Sequence, residues 1–106
     1  MSNLGVWEPA EPGVKRCILN AADSLMMMEV HFEKGAEGYE HSHPHEQMSY
    51  CLRGSFTFRI DGREYALEAG GSIAIPRNAK HGVTALEDGS ALLDVFTPIR
   101  EDLLKR

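Results

Sequence analysis

One hairpin constrains this chain more than any other feature. Phe56 to Ile60 alternates between apolar and polar residues, Asp61-Gly62 interrupts it, and Arg63 to Leu67 runs back. A period of two sends Phe56, Phe58 and Ile60 to one face and Thr57 and Arg59 to the other. An Asp-Gly pair between two such runs is a strong hairpin signal, because both residues tolerate the positive φ of a tight turn. The rest of the chain repeats the theme. Short runs at Val14 to Leu19, Leu25 to Phe32, Met48 to Leu52, Ser72 to Ile75, His81 to Leu86 and Ala91 to Thr97 alternate with turn residues such as Asn20 to Asp23, Gly70-Gly71 and Glu87 to Ser90. Met26-Met27-Met28 also suits the start of a helix. The β-branched and aromatic residues that follow favour a strand, and methionine fills irregular cores. Short strands at regular spacing with almost no helix predict an all-β fold, a barrel or a jelly-roll sandwich.

The two ends read differently. Met1 to Gly13 carries Gly5, Pro9, Pro12 and Gly13 and is expected to be an extended arm rather than a packed element, with Trp7 as its anchor. Residues 14–106 then form the barrel domain, with a short terminal helix expected over Ile99 to Arg106 behind Pro98. A chain of 106 residues suits one domain with a thin stability margin. Pairing with a second copy relieves that margin, so a homodimer is expected. The formal charge of −5 argues against a sequence-independent grip on nucleic acid. No run approaches the length of a membrane helix, and the start lacks the basic-then-apolar order of a secretory leader. The cytoplasm is the expected compartment. Cys17 and Cys51 form no CxxC pair and read as buried or half-buried thiols, although a disulfide between them stays open.

The chemistry sits in the histidines. His41-Ser42-His43-Pro44-His45 is followed by Glu46-Gln47, and His81 comes later, behind Pro76-Arg77-Asn78. In an extended segment, residues two apart share a face, so His41 and His43 are expected to aim into one space. Gln47 keeps the same parity if Pro44 does not bend the chain. Imidazole suits zinc, copper, iron and nickel. Three neutral imidazoles and a neutral Gln47 oxygen would leave a divalent ion its full charge and an open position. His45 and Glu46 lie near enough to be alternative ligands, and His31 reads as a core or surface residue.

With these residues in hand, the chain resembles the cupin family. The first cupin motif places a Glu and then a Gly after His-x-His. Here three residues separate His43 from Gln47 and six separate Gln47 from Gly54, with Gly35 or Gly38 approximating the leading Gly. The second motif runs from a Gly through Pro-x-Gly to a His and an Asn. Here five residues separate Gly70 from Pro76, and two separate Asn78 from His81. Gln47 replaces the motif's Glu, Asn78 its Gly and Ala85 its Asn. Asn at 78 is tolerable because it also visits left-handed backbone. Losing the Glu charge tilts the site away from redox chemistry. The resemblance implies a single jelly-roll barrel holding one divalent ion (zinc, nickel, manganese or iron) on His41, His43, Gln47 and His81.

The last strand adds an acid. Leu92, Asp94 and Phe96 share one face of it, and burying an unpaired carboxylate among apolar residues is costly. Asp94 should therefore face water at the barrel mouth or work in the cavity. Arg100, six residues on, is expected either to return to that mouth and hold a carboxylate, or to pair with Glu101 or Asp102. The tail, together with His-Ser-His-Pro-His-Glu-Gln, looks like the small pectin-degradation cupins, which open 4,5-unsaturated monouronates to linear keto forms. That resemblance implies Asp94 as proton donor or acceptor, Phe96 as cavity wall, Arg100 as clamp on the sugar carboxylate, and an unsaturated uronate as the small-molecule partner. Two other classes stay open. A cupin dioxygenase would consume oxygen, and a non-enzymatic sugar- or metal-binding module would bind without turnover.

Overall fold

The computed structural model describes residues 2–105. In order, the strands are β1 (Trp7–Pro9), β2 (Val14–Ala21), β3 (Met26–Phe32), β4 (Glu37–His41), β5 (Glu46–Arg53), β6 (Ser55–Ile60), β7 (Arg63–Glu68), β8 (Ser72–Ile75), β9 (His81–Ala85) and β10 (Ser90–Thr97). Two antiparallel sheets face each other in jelly-roll fashion. One has the order β1-β2-β3-β10-β5-β8 and the other β4-β9-β6-β7. The Asp61-Gly62 hairpin forms between β6 and β7 with both turn residues at positive φ, 48° and 83°. Asn78 sits at φ 64°, in the left-handed region expected of it.

Alternation decides what lies inside. Phe56 and Phe58 of β6, Met26, Met28 and Val30 of β3, and Leu92 and Phe96 of β10 are buried in one core. Their burial drives folding, since each such side chain contributes roughly 1.5–3 kcal/mol on leaving water. Cys17 and Cys51 are buried free thiols, which closes the disulfide question. One glycine of the first motif has a packing reason. Gly54 lies at φ 74°, and a Cβ there would stand 2.1 Å from the Ser90 hydroxyl.

Both ends depart from expectation. The N-terminal segment is extended, but it is also paired. Trp7–Pro9 adds β1 to the sheet edge in register with Lys15 to Cys17, Leu4 bridges Ile18, and Asn3 is buried. Its backbone groups find ladder partners, which an isolated arm would leave to water. The terminal helix does not form: among the described residues 99–105 there are only tight turns, and Arg106 lies outside the description. A segment this short cannot repay helix nucleation by itself. Asn3 captures its backbone instead, donating to the Leu103 carbonyl at 3.0 Å and accepting from Lys105 N–H at 2.9 Å.

Candidate metal centre

Local backbone devices bring the histidines together. His41 ends β4 and His81 opens β9, directly opposite it. From Gly38↔Val83 to His41↔His81 the β4 side is one residue longer, a bulge of the kind that re-aims side chains beside functional sites. Gly82 permits it, because a Cβ there would lie 3.1–3.2 Å from the backbone of Gly38 and Glu40. His43 is not on the same strand as His41, contrary to the parity argument. It lies in the β4–β5 loop, and Pro44 lies within that break. What holds His43 in place is the turn that carries His81: Asn78 N–H donates to the His43 carbonyl at 2.8 Å, and Arg77 donates to the Pro44 carbonyl at 3.1 Å.

The result is a tight cluster. One nitrogen from each of His41, His43 and His81 lies within 4.8 Å of the others. Each Nδ1 faces a carbonyl: His41 that of Tyr39 at 2.7 Å, His43 that of His45 at 3.0 Å and His81 that of Ala79 at 2.9 Å. A carbonyl only accepts, so each Nδ1 carries a proton, and in the neutral ring the lone pair is left on Nε2. Fixing the tautomer from behind in this way is the usual support of a metal-binding histidine. Burial lowers the His43 pKa, and it lowers that of His81 to about 4, so both stay neutral at pH 7. The His81 Nε2 is buried and has no hydrogen-bond partner. A buried acceptor is costly to leave unmet.

Gln47 completes the argument. Its Oε1 lies 3.1 Å from the His43 Nε2. Neither atom carries a hydrogen, so two lone pairs face each other at contact distance, an arrangement that a shared cation reconciles. The residues therefore fit a divalent ion on three imidazoles and one amide oxygen. His45 does not join this cluster; its carbonyl supports His43. Glu46 is exposed on the opposite face of β5. His31 stands half-buried on the outer sheet face, against Glu29 and 4.4 Å from the Trp7 ring.

Asp94 faces inward and is 7% exposed, so it lies in the cavity and not in open water. Burial raises its pKa to about 6, against hydrogen bonds from Ser49 and Gln47 and the Arg100 charge, which all lower it. Arg100 returns to the cavity and also pairs with Asp102. It lines the cavity and stacks over Phe96 at 5.3 Å, while its Nε and Nη2 are held by Asp102 at 3.0 and 2.8 Å. Phe96 lies edge-on to His43 at 5.9 Å. A cavity of about 280 Å³ joins His41, His81, Gln47, Asp94, Phe96 and Arg100.

Two residues escaped the sequence reading. Arg16 of β2 also lines this cavity. Its cross-strand neighbour Glu8 has both oxygens committed, to Asn3 and Lys105. Ser49, fully buried, accepts from Gln47 Nε2 at 3.0 Å and donates to Asp94 at 2.6 Å. Parity was the available signal for both. Arg16 stands between inward Val14 and Ile18, and Ser49 between Gln47 and Cys51, as Asp94 stands between Leu92 and Phe96.

A two-sheet jelly roll whose cavity is lined by members of a histidine cluster defines a class, and the cupin domain model matches residues 28–96. The chain belongs to the cupin family. Within it, the chain is 44% identical over 99 residues to the pectin degradation protein KdgF of Dickeya dadantii (strain 3937), covering 92% of this chain and 90% of that one. The solved structure of KdgF from a Halomonas species superposes with a TM-score of 0.88 at 36% identity, covering 92% and 89% of the two chains. An RmlC-like cupin from Shewanella frigidimarina NCIMB 400 gives 0.84 at 41% identity, covering 91% and 86%.

Proposed function

We propose that this protein opens the ring of 4,5-unsaturated monouronates and releases the linear keto form. The observation that carries the reading is a buried carboxylate, Asp94, facing the same cavity as the histidine cluster and two arginines. The likeness to two KdgF proteins, one of them named for pectin degradation, supports an acidic sugar as substrate.

The reaction needs proton transfer and no redox change. As the ring C–O bond breaks, the anomeric hydroxyl loses a proton and an aldehyde forms. The enolate left at the other end takes a proton on carbon and becomes a ketone. Asp94 serves both ends: its carboxylate accepts the first proton, and its acid form returns it to carbon. A side chain titrating near 6 is suited to both tasks near neutrality. Arg16, which has no hydrogen-bonded carboxylate among the described residues, and the edge of Arg100 turned from Asp102 receive the sugar carboxylate. Phe96 gives the ring an apolar wall. His41, His43, Gln47 and His81 would hold a divalent ion, which when bound polarises substrate oxygens as a Lewis acid.

Zinc-loaded protein should accelerate the loss of the unsaturated uronate's absorbance. Arg16→Gln should raise KM by about tenfold or more while kcat changes less than threefold, as expected for one lost charge-assisted hydrogen bond. No acceleration by metal-loaded protein would overturn the reading, and oxygen uptake in its place would identify a dioxygenase.

A homodimer and the cytoplasm complete the proposal. On the outer face of the six-stranded sheet, Met27, Val95, Met48 and Ala74 form one cross-strand row, with Leu93 and Tyr50 alongside. Met48 is 59% and Tyr50 43% exposed, and a contiguous apolar face of this kind marks an interaction surface. Sedimentation equilibrium should give twice the chain mass, and a monomer at micromolar concentration would refute the dimer. Two reduced thiols suit a reducing compartment.

A further inference from the structure

We infer that Ser49 is a positioning residue that decides which end of the Gln47 amide faces the histidines, and so whether the cluster can take a cation. The inference rests on the ligand set above and not on the sugar reaction. Its basis is a chain of three contacts: His43 Nε2 to Gln47 Oε1 at 3.1 Å, Gln47 Nε2 to Ser49 Oγ at 3.0 Å, and Ser49 Oγ to Asp94 Oδ1 at 2.6 Å.

Donor and acceptor counts give the chain its direction. The Asp94 carboxylate only accepts, so the single hydroxyl hydrogen of Ser49 goes to it. The Ser49 oxygen can then only accept from its other neighbour, and the neighbour that donates is the Gln47 NH2. The amide is planar, so Oε1 must point the opposite way, at His43. Register builds this order into the sheets, since Ser49 is paired directly with Asp94 and Gln47 directly with Phe96.

Take away the hydroxyl and the Gln47 NH2 loses its acceptor at 3.0 Å and keeps only its hydrogen bond to Asp94, so the constraint weakens. The His43 Nε2 is an acceptor, so a flipped amide that donates its NH2 to that lone pair then competes with the orientation that points Oε1 at the cluster. The flipped amide satisfies His43 and hides it. A cation must then break that bond and turn the amide before it can bind. Ser49 thus holds the cluster in an electrostatically unfavourable but binding-ready state.

The test is zinc affinity, measured by competition with a chromophoric chelator, and it needs no substrate. Ser49→Ala should weaken zinc binding by about 10- to 100-fold, the usual cost of losing a group that orients a ligand. The second arm uses Gln47→Glu, which has no NH2 to misdirect. In that background Ser49→Ala should change zinc affinity less than threefold. Near-UV circular dichroism of each variant reports whether the fold is kept. Wild-type protein without zinc affinity, a Ser49→Ala effect below threefold, or an equal effect in both backgrounds would each overturn the inference.

Discussion

Asp94→Asn should cut turnover by orders of magnitude and at the same time make the metal-free protein more stable. The two effects share one cause. The barrel buries a carboxylate whose pKa rises from 3.8 to about 6, because burial penalises the charged form. The folded state therefore prefers the proton more than the unfolded chain does. Below pH 3.8 both states are protonated and nothing is lost. As pH rises the unfolded chain ionises first, and above about 6 the full penalty is present. A shift of this size corresponds to about 3 kcal/mol. Asparagine keeps an acceptor for the Ser49 hydroxyl and removes the charge. In chelator at pH 8, calorimetry should show Asp94→Asn stabilised by about 2 kcal/mol, roughly 10 °C in Tm for a domain this small. The advantage should be about halved at pH 5. Turnover should fall by about 10²–10⁴-fold, the usual share of a general acid–base group. Zinc affinity should change by less than tenfold. Turnover within tenfold of wild type would remove Asp94 from proton transfer, and an unchanged Tm would mean its charge is not buried.

His81→Ala should erase the stabilisation that metal confers. His81 is buried, neutral and unpartnered at Nε2. A cation bound only to the folded state stabilises it by RT ln(1 + [L]/Kd), about 2.7 kcal/mol at a hundred times Kd. Thermal unfolding with and without zinc reads that difference directly. Wild type should rise by roughly 10 °C, and His81→Ala by less than 2 °C at the same zinc concentration. His31→Ala is the control, because His31 stands on the outer sheet face, and its zinc shift should match wild type. A full zinc shift in His81→Ala would place the metal elsewhere.

Much of the fold was legible because strands and turns are local. Asp61-Gly62, Gly70-Gly71 and the alternating runs mark β2, β3 and β5 to β10 within a residue or two at most ends. β4 was hidden, since a Gly-rich stretch with a bulge has no clean period of two. β1 was hidden because its stability comes from its partner strand and not from its own composition. The terminal helix failed for the complementary reason: Asn3, about a hundred residues away in sequence, takes the tail's backbone groups.

The site divides along the same line. Residue type and parity pointed to His41, His43 and Gln47 and to an acid on the last strand, and the second cupin motif added His81, because donor chemistry, strand alternation and motif spacing are written in the sequence. The tertiary structure decided how they meet. It set His41 opposite His81 through the bulge at Gly82, pinned His43 by the turn before His81, and seated β10 between β3 and β5 so that Asp94 faces Ser49. Those are pairings between distant segments, and they are fixed by register and close backbone approach, which no short stretch of sequence records.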